Sequence, residues 1–501
     1  MGALFHGFET ALSLQNIGVA LVGVILGTIV GVLPGIGPVA AMALLLPLTM
    51  KMTTLPAIIL LAGLYYGSQY GDSMAAILVN VPSEAPAIVI AREGYPMTRA
   101  GRGGAALAIA GVASFIGATV GLIGISILAL PLSQLATYLR PPDFAAIALL
   151  GLLLLPRVGG TEPFKGLVAV GIGLAIGTIG LDPIASTPRF TFGYLQLTQG
   201  VELVPVAVGL FGLAQVIHQI IDGEDWGNPG TVKLRDLTPS RQEWRRAIPA
   251  SGRGSILGFL LGALPGPSLI LSTFSSYALE RRLGQRSRNF GKGAVEGVAG
   301  PKAADDAAVG GNLIPILILG VAFTPVTAIL LSGLRLHSIE PGPLLIQDHP
   351  NLFWGLLAAM YLGNVALLVL NFPMAGLWVR LLRIKPAIRS AGLVVIMIVG
   401  VYSVRYSVFD VGVMVLIGFL GYALRRARVD CSLLVLGLVL GPFLEDSIRR
   451  SLQLSAGSMG IFVSRPVGQA TVCIIAIVWI IMPIARALRV SSVSFSRSGS
   501  E

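Results

Sequence analysis

The sequence predicts an all-α polytopic membrane protein with about eleven transmembrane helices, two inverted repeats, and helices that are broken or re-entrant. Three observations lead to this fold class. The 501 residues are 54% hydrophobic and only 12% charged, whereas soluble domains carry about a quarter charged residues. Long stretches contain no charge, and one membrane crossing needs about 20 apolar residues. Glycine and proline number 63 and 31, which in an apolar chain predicts closely packed or interrupted helices.

The charge and the cysteines limit the function further. The net charge is +11, from 35 basic and 24 acidic residues. The basic residues lie between apolar stretches, so we interpret them as cytoplasmic loops that follow the positive-inside rule, and we expect no nucleic-acid partner. Cys431 and Cys473 lie within apolar stretches, which predicts core residues rather than a disulfide or a metal site. A soluble enzyme and a disordered chain are excluded, and no cofactor is predicted.

A polar segment near the middle of the chain separates two halves. Residues 222–246 are rich in charged and turn-forming residues. The basic tail carries Arg486, Arg489 and Arg497, so the C-terminus is expected in the cytoplasm. The predicted organisation is a first membrane repeat at 1–221, a polar central loop at 222–253, a second membrane repeat at 254–379, C-terminal transmembrane helices at 380–485 and a basic cytoplasmic tail at 486–501.

One nine-residue pattern occurs near the start of each half. Residues 27–35 read GTIVGVLPG and residues 258–266 read GFLLGALPG, so both follow G-x-x-x-G-x-L-P-G. Chance explains two such copies poorly, and we interpret them as an internal repeat. Proline removes a backbone donor and glycine permits a sharp bend. The motif therefore predicts a helix that breaks within the membrane, at 31–38 and again at 262–268.

Paired helix breaks suggest a binding site. Backbone groups freed by a break cannot face lipid, and interruptions at matching positions of two halves are typical of secondary transporters. A kink that only assists packing is the alternative. Helix N-termini at a break present free N–H groups, which favours an anion and especially a carboxylate. An Asn–Pro pair follows each copy of the motif. The candidate substrate-binding residues are Pro34, Gly35, Gly37, Ser68, Ser73, Asn80, Gly266, Ser268, Asn312 and Pro315.

Three carboxylates are candidates for coupling transport to a cation. Asp72 lies in the polar stretch YYGSQYGDS of an otherwise apolar segment, and a carboxylate within the membrane is costly and usually functional. A solvated or arginine-paired carboxylate at a cavity mouth is an equal alternative. Asp305 and Asp306 precede a charge-free stretch; a cation site is one interpretation, and the solvated start of a helix is the one we favour. No ATP-binding motif occurs, so active transport would need an ion gradient or a partner.

At these segments the chain resembles the large membrane subunit of the tripartite tricarboxylate transporters, the TctA family. The similarity spans nearly the whole chain, and several segments are specific only in combination. The matching segments are GVLPGIGP at 31–38, LLLPLT at 44–49, YYGSQYGDS at 65–73, ILVNVP at 77–82, GYPM at 94–97, FGKG at 290–293, EGVA at 296–299, GGNLIP at 310–315, PGP at 341–343 and GPFLEDSIRRSL at 441–452.

The resemblance implies a bacterial inner-membrane permease. In such systems a periplasmic solute-binding protein delivers the solute, a small membrane subunit accompanies the large one, and a cation gradient, of H⁺ or Na⁺, drives uptake of a carboxylate. The chain also departs from the family pattern. Lys302, Asp305 and Asp306 stand where the family usually has Glu and a pair of Asn, and Asp72 stands where Gly is usual. These departures indicate either a different solute or a shifted ion site.

Two other classes of function remain open from the sequence. One is a membrane-embedded enzyme that acts on a lipid-linked substrate, with Asp305 and Asp306 holding a divalent metal. The other is a channel or scaffold subunit without coupled transport. The sequence shows no convincing set of further polar residues for the enzyme, so the transporter is the interpretation we favour.

Overall fold

A computed structural model describes residues 2–33, 37–82, 84–158, 162–182, 187–222, 238–265, 267–283, 290–381 and 386–481. Within these ranges the chain is almost entirely helical. Six helices are long and apolar enough to cross a membrane, and five shorter apolar helices accompany them. The predicted fold class, an all-α polytopic membrane protein, is confirmed.

The elements follow one another with short connections. The first are α1 (Gly2–Ala11), α2 (Leu14–Val32), α3 (Pro38–Thr49), α4 (Thr54–Val79), α5 (Ala85–Arg99), α6 (Gly103–Ala136), α7 (Pro141–Val158), α8 (Pro163–Gly177), the two-residue strands β1 (Gly180–Leu181) and β2 (Pro188–Arg189), α9 (Leu203–Ala207) and α10 (Ala214–Asp222). The remainder are α11 (Arg241–Gly262), α12 (Ser268–Leu283), α13 (Val295–Ile314), α14 (Pro325–Leu336), α15 (Leu345–Asp348), α16 (Pro350–Leu381), α17 (Pro386–Arg405), α18 (Val408–Arg426), α19 (Cys431–Leu454) and α20 (Pro466–Ala476).

The chain forms two compact units. The first contains Met1–Thr137 and Glu202–Ala427, and the second contains Tyr138–Val201 with the chain from Arg428 onward. Helix α11 of the first unit begins at a capping box in which Ser240 and Glu243 satisfy each other's backbone N–H groups. Its first three turns therefore occupy the end of the segment predicted as a polar loop, and that loop extends no further than residue 240.

Helices α2 and α4 of the first unit touch along their backbones. A Cβ added to Gly27 would collide with the carbonyl of Leu64, and one added to Gly71 would lie 2.5 Å from the carbonyl oxygen of Thr28. Helices α11 and α13 repeat this contact. A Cβ on Gly258 would collide with the carbonyl of Ala304. Glycine and other small residues thus let α2 approach α4, and α11 approach α13, more closely than larger side chains would allow. Such contacts are common between membrane helices.

These contacts define equivalent positions in the two repeats. Gly27 and Gly258 are equivalent by the sequence motif, and their partners Leu64 and Ala304 are 240 residues apart. The same offset relates the two residues that end the helical segments in left-handed conformation, Asn80 with φ 57° and Gly320 with φ 70°. Helices α2 to α5 therefore correspond to α11 to α14, as the repeated motif predicts.

The last helix of each repeat contacts the other repeat. Helix α5 packs against α4 of its own repeat and also against α12 and α13, and α14 of the second repeat packs against α3 and α4. The fully buried carboxylate of Glu93 in α5 accepts hydrogen bonds from the Tyr277 hydroxyl at 2.6 Å and from the backbone N–H groups of Gly291, Gly293 and Ala294. Because all four donors belong to the second repeat, Glu93 ties the repeats together.

The second unit is built around α7, α8, α19 and α20. Helices α8 and α19 are also in backbone contact, since a Cβ on Gly173 would collide with the carbonyl of Leu434. Beyond the end of α8, Asp182 and Arg189 meet α19: Arg449 bridges Asp182 at 3.0 Å and Glu445 at 2.6 Å, and Arg189 contacts both acids. This ion network fixes the loop after α8 against the last turns of α19.

A pair of substitutions in α2 tests the backbone contact. Gly27→Ala should lower the free energy of unfolding by about 1–3 kcal/mol, because the methyl group overpacks against α4. Gly18→Ala in the same helix is the matched control, since a Cβ there meets nothing within 4 Å. Thermal unfolding of the detergent-solubilised protein measures both. Equal melting temperatures for the two variants would contradict the contact.

Candidate functional site

The structure contains both helix breaks in the segments where the sequence motif predicts them. Helix α2 ends at Val32, and α3 begins at Pro38 behind Gly37 as its N-cap. Helix α11 ends at Gly262, and α12 begins at Ser268. The predicted site residues Pro34, Gly35 and Gly266 lie outside the described residues.

Helix α4 brings a row of buried polar residues past the first break. The hydroxyls of Ser68 and Ser73 donate to carbonyls of their own helix, Tyr65 O at 2.7 Å and Gln69 O at 3.0 Å. Because each hydroxyl proton is already used in these hydrogen bonds, each hydroxyl can only accept a hydrogen bond from a ligand. Asn80 is not part of this row, because it ends α4 in left-handed conformation.

Asp72 lies where α4 meets the start of α5. Its carboxylate is buried and accepts a hydrogen bond from the backbone N–H of Glu84 at 3.2 Å. Glu84 is the N-cap residue of α5 and accepts a hydrogen bond from the Gln69 amide at 3.1 Å. The alternative of a solvated carboxylate at a cavity mouth is wrong for this structure, since only 3% of Asp72 is exposed.

Asp305 and Asp306 are buried in the middle of α13 and are paired with Lys302. Helix α13 begins at Val295, ten residues before Asp305, so our favoured expectation of a solvated helix start is wrong. The Lys302 ammonium lies 2.9 Å from Asp306 and 3.6 Å from Asp305, and it donates to the carbonyl of Gln69 in α4 at 3.2 Å. The lysine therefore stands between the carboxylates where the enzyme alternative would place a metal.

Helices α4 and α13 cross in opposite directions at this cluster. Lys302 contacts Gln69, and ten residues further along α13 Asn312 interacts with Tyr65, which precedes Gln69 in α4. Equivalent helices of the two repeats thus run antiparallel, as inverted repeats require.

The second break carries a hydrogen bond between two predicted site residues. Ser268, the first residue of α12, donates to Asn312 Oδ1 in α13 at 2.7 Å. Pro315 begins a π-helical turn that ends at Gly320. Because Asn312 lies inside a helix and Asn80 at the end of one, the two Asn–Pro pairs are not equivalent, contrary to our expectation.

Acids outnumber bases in the cluster at the α4–α13 crossing. Asp72, Asp305 and Asp306 are buried and Glu84 is half-buried. These acids interact electrostatically with one another or with Lys302, which is wholly inaccessible to solvent. A buried carboxylate is costly unless it is paired. A cluster with this imbalance can therefore take up protons or cations.

Sequence reasoning missed Glu84 and Gln69 as members of the cluster and did not assign Lys302 to it. The spacing of Lys302 from Asp305 and Asp306, at i+3 and i+4, was the available signal, because such residues lie on one helix face. Glu84 had no such signal, since only the return of α5 brings it to Asp72.

Two equivalent broken helix pairs around a buried polar cluster form the arrangement typical of a secondary transporter. The profile of the tripartite tricarboxylate transporter TctA family matches residues 17–436. The chain belongs to this family, and it is a multi-pass membrane protein.

Relatives from Agrobacterium vitis extend this similarity. One, described as an uncharacterised 52.8 kDa protein in the TAR-I ttuC' 3' region, is 41% identical over 468 residues, 93% of each chain. Another, described as an uncharacterised protein in the TAR-II ttuC' 3' region, is 41% identical over 223 residues, 44% of this chain and 92% of the relative. No solved structure matches the chain.

A double-mutant comparison tests the buried ion group. Lys302→Met should lower the free energy of unfolding by about 3–5 kcal/mol, because it leaves two buried carboxylates without their cation. Adding Asp306→Asn removes one of those charges and should restore part of the loss. Melting temperatures in detergent measure the three proteins. Additive losses in the double variant would mean that Lys302 and Asp306 do not interact.

Proposed function

We propose that the protein is the permease subunit of a binding-protein-dependent secondary transporter. It imports a carboxylate, a tricarboxylate or a related organic anion, across the bacterial inner membrane, and a gradient of H⁺ or Na⁺ drives the uptake. The observation that carries this proposal is the cluster of three buried acids, the half-buried Glu84 and one buried lysine beside two equivalent helix breaks.

Family membership supports the chemistry of the cargo, and the second break supplies groups that suit it. The Asn312 amide, which Ser268 orients at the start of α12, is a neutral donor, and the dipole of α12 adds positive potential. Such a site binds a carboxylate without a buried arginine, whose charge would hold a divalent or trivalent anion too tightly for release.

The excess of buried acids supports coupling to a cation. Protons or sodium ions that enter with the solute would reduce the repulsion among Asp72, Glu84, Asp305 and Asp306. The transporter would then move between its two faces most easily when the cluster is loaded. Loading of both cation and solute before movement is the property that couples their fluxes.

The proposal includes two protein partners and an orientation. A periplasmic solute-binding protein would deliver the carboxylate, and a small membrane subunit would complete the permease, as in the family to which the chain belongs. Arg425 and Arg426 end α18 and Arg428 follows it, so this end of α18 would face the cytoplasm by the positive-inside rule. Two further crossings, α19 and α20, would then return the C-terminus to the cytoplasm.

Uptake of radiolabelled citrate by proteoliposomes tests the function. The chain is reconstituted with its proposed small membrane subunit, and the proposed solute-binding protein is added outside. We expect citrate to accumulate only when an inward H⁺ or Na⁺ gradient is imposed. Liposomes without the permease, and permease liposomes without the binding protein, are the controls. Citrate accumulation that does not depend on either gradient would contradict coupled transport. So would citrate entry that stops when the inside and outside concentrations are equal.

A further inference from the structure

The two repeats place different side chains at one equivalent position. Gly71 of α4 packs on Thr28 and Val32, and Gly311 of α13 packs on Phe259 and Ala263. These partners are equivalent in the repeated motif, so the next residues along each helix, Asp72 and Asn312, are equivalent as well. One repeat thus has a carboxylate where the other has an amide of the same shape.

The second repeat presents donors at its break. Asn312 is 3% exposed, and its Oδ1 is held by Ser268 at the first residue of the 16-residue helix α12. Its Nδ2 lies near the Tyr65 hydroxyl, but neither group reaches hydrogen-bond geometry with a partner among the described residues. The Asn312 amide and the Tyr65 hydroxyl, both buried near the start of α12, therefore keep the capacity to donate to a ligand, and a carboxylate is the ligand that such donors fit.

The first repeat presents a carboxylate instead. Asp72 is 3% exposed, and the residue equivalent to Ser268 is Gly37, which has no side-chain donor. The nearby Asp305 interacts electrostatically with Asp72 and has one buried oxygen, Oδ1, without a hydrogen-bond partner in the described part of the chain. The Lys302 ammonium is held by Asp306 and Asp305. A cation, rather than an anion, is the ligand that this side of the cluster fits.

We propose that the two repeats bind different ligands: the first repeat binds the coupling cation at Asp72, and the second binds the carboxylate of the solute at the Asn312 amide N–H groups, which Ser268 orients by its hydrogen bond to Asn312 Oδ1. This inference rests on the proposed function and assigns its two ligands to different halves of the chain. Opposite charges would then be bound at neighbouring points of one buried cluster. Each ligand lowers the electrostatic cost of binding the other, which is positive coupling between the two sites.

A purely structural role for Asp72 can be distinguished experimentally from a role in binding the coupling cation. Asp72 accepts the Glu84 N–H and so helps to fix the start of α5. Asparagine retains a side-chain carbonyl oxygen that can accept the same hydrogen bond. Asp72→Asn can therefore keep the hydrogen bond to Glu84 while it removes the charge and replaces one carboxylate oxygen by an NH2 group, and it makes the first repeat match the second.

Reciprocal exchange of the two side chains tests the proposal. Proteoliposomes that contain Asp72→Asn, Asn312→Asp or the wild-type chain are compared in two assays with radiolabelled citrate. Counterflow without a gradient reports solute binding and movement, and accumulation under an imposed H⁺ or Na⁺ gradient reports coupling. Circular dichroism and melting temperature verify that each variant is folded.

We expect the two variants to fail in different assays. Asp72→Asn should keep citrate counterflow and lose the accumulation that the effective gradient drives in the wild type. Asn312→Asp should raise the half-saturating citrate concentration in counterflow at least about tenfold, since a donor becomes a repelling charge. Ser268→Ala is the milder second variant, and it should raise that concentration in the same direction even if Asn312→Asp does not fold.

Each half of the proposal has its own contrary result. Gradient-driven accumulation unchanged in Asp72→Asn would overturn the cation assignment. A half-saturating citrate concentration unchanged in Ser268→Ala, or in folded Asn312→Asp, would overturn the carboxylate assignment. Failure of the proposed function itself gives a different result from failure of either assignment. In that case the wild-type chain would show neither counterflow nor accumulation of citrate, and the inference would be wrong as well.

Discussion

The direct contact of helix backbones is the constraint on which the first unit depends. Glycine and alanine let α2 meet α4, and α11 meet α13, with carbonyl groups where side chains would normally lie. Inside a bilayer there is no hydrophobic force to hold helices together, so close van der Waals contact must do this. Contacts of this kind allow almost no sliding, because a shift along the axis would bring a larger residue to the crossing. The polar residues of α4 and α13 are therefore held at fixed heights.

A buried ion group is costly, and its position explains why the chain keeps it. Taking charges out of water costs several kcal/mol per ion, which attraction between the partners repays only with good geometry. The Lys302 ammonium has this geometry, since it contacts two carboxylates of its own helix and one carbonyl of the opposing repeat. The group therefore stabilises one crossing of α4 and α13, and its energy depends on that crossing. Charge and helix arrangement are thus linked, as a transporter that responds to a cation requires.

Local sequence signals predicted the helix breaks well and the burial of charge poorly. Proline and glycine act on their own backbone, so the ends of α2 and α11 and the starts of α3 and α12 could be placed to within a few residues. Asp305 and Asp306 were expected at a solvated helix start, because they directly precede a charge-free stretch and acidic residues favour helix N-termini. Their burial depends on α4 and α6, which pack on α13 from elsewhere in the sequence. Glu84 was missed for the same reason, since its position follows from how α5 is packed and not from its neighbours.

The contact of α5 with the second repeat has a consequence for biogenesis. Glu93 is synthesised long before its partners, since Gly291 follows it by 198 residues. Until those donors exist, the Glu93 carboxylate lacks the hydrogen bonds that satisfy it in the folded protein, and a carboxylate without them is costly to bury. We therefore expect α5 to reach its final place only after the second repeat has been made, so that the first repeat completes its folding late.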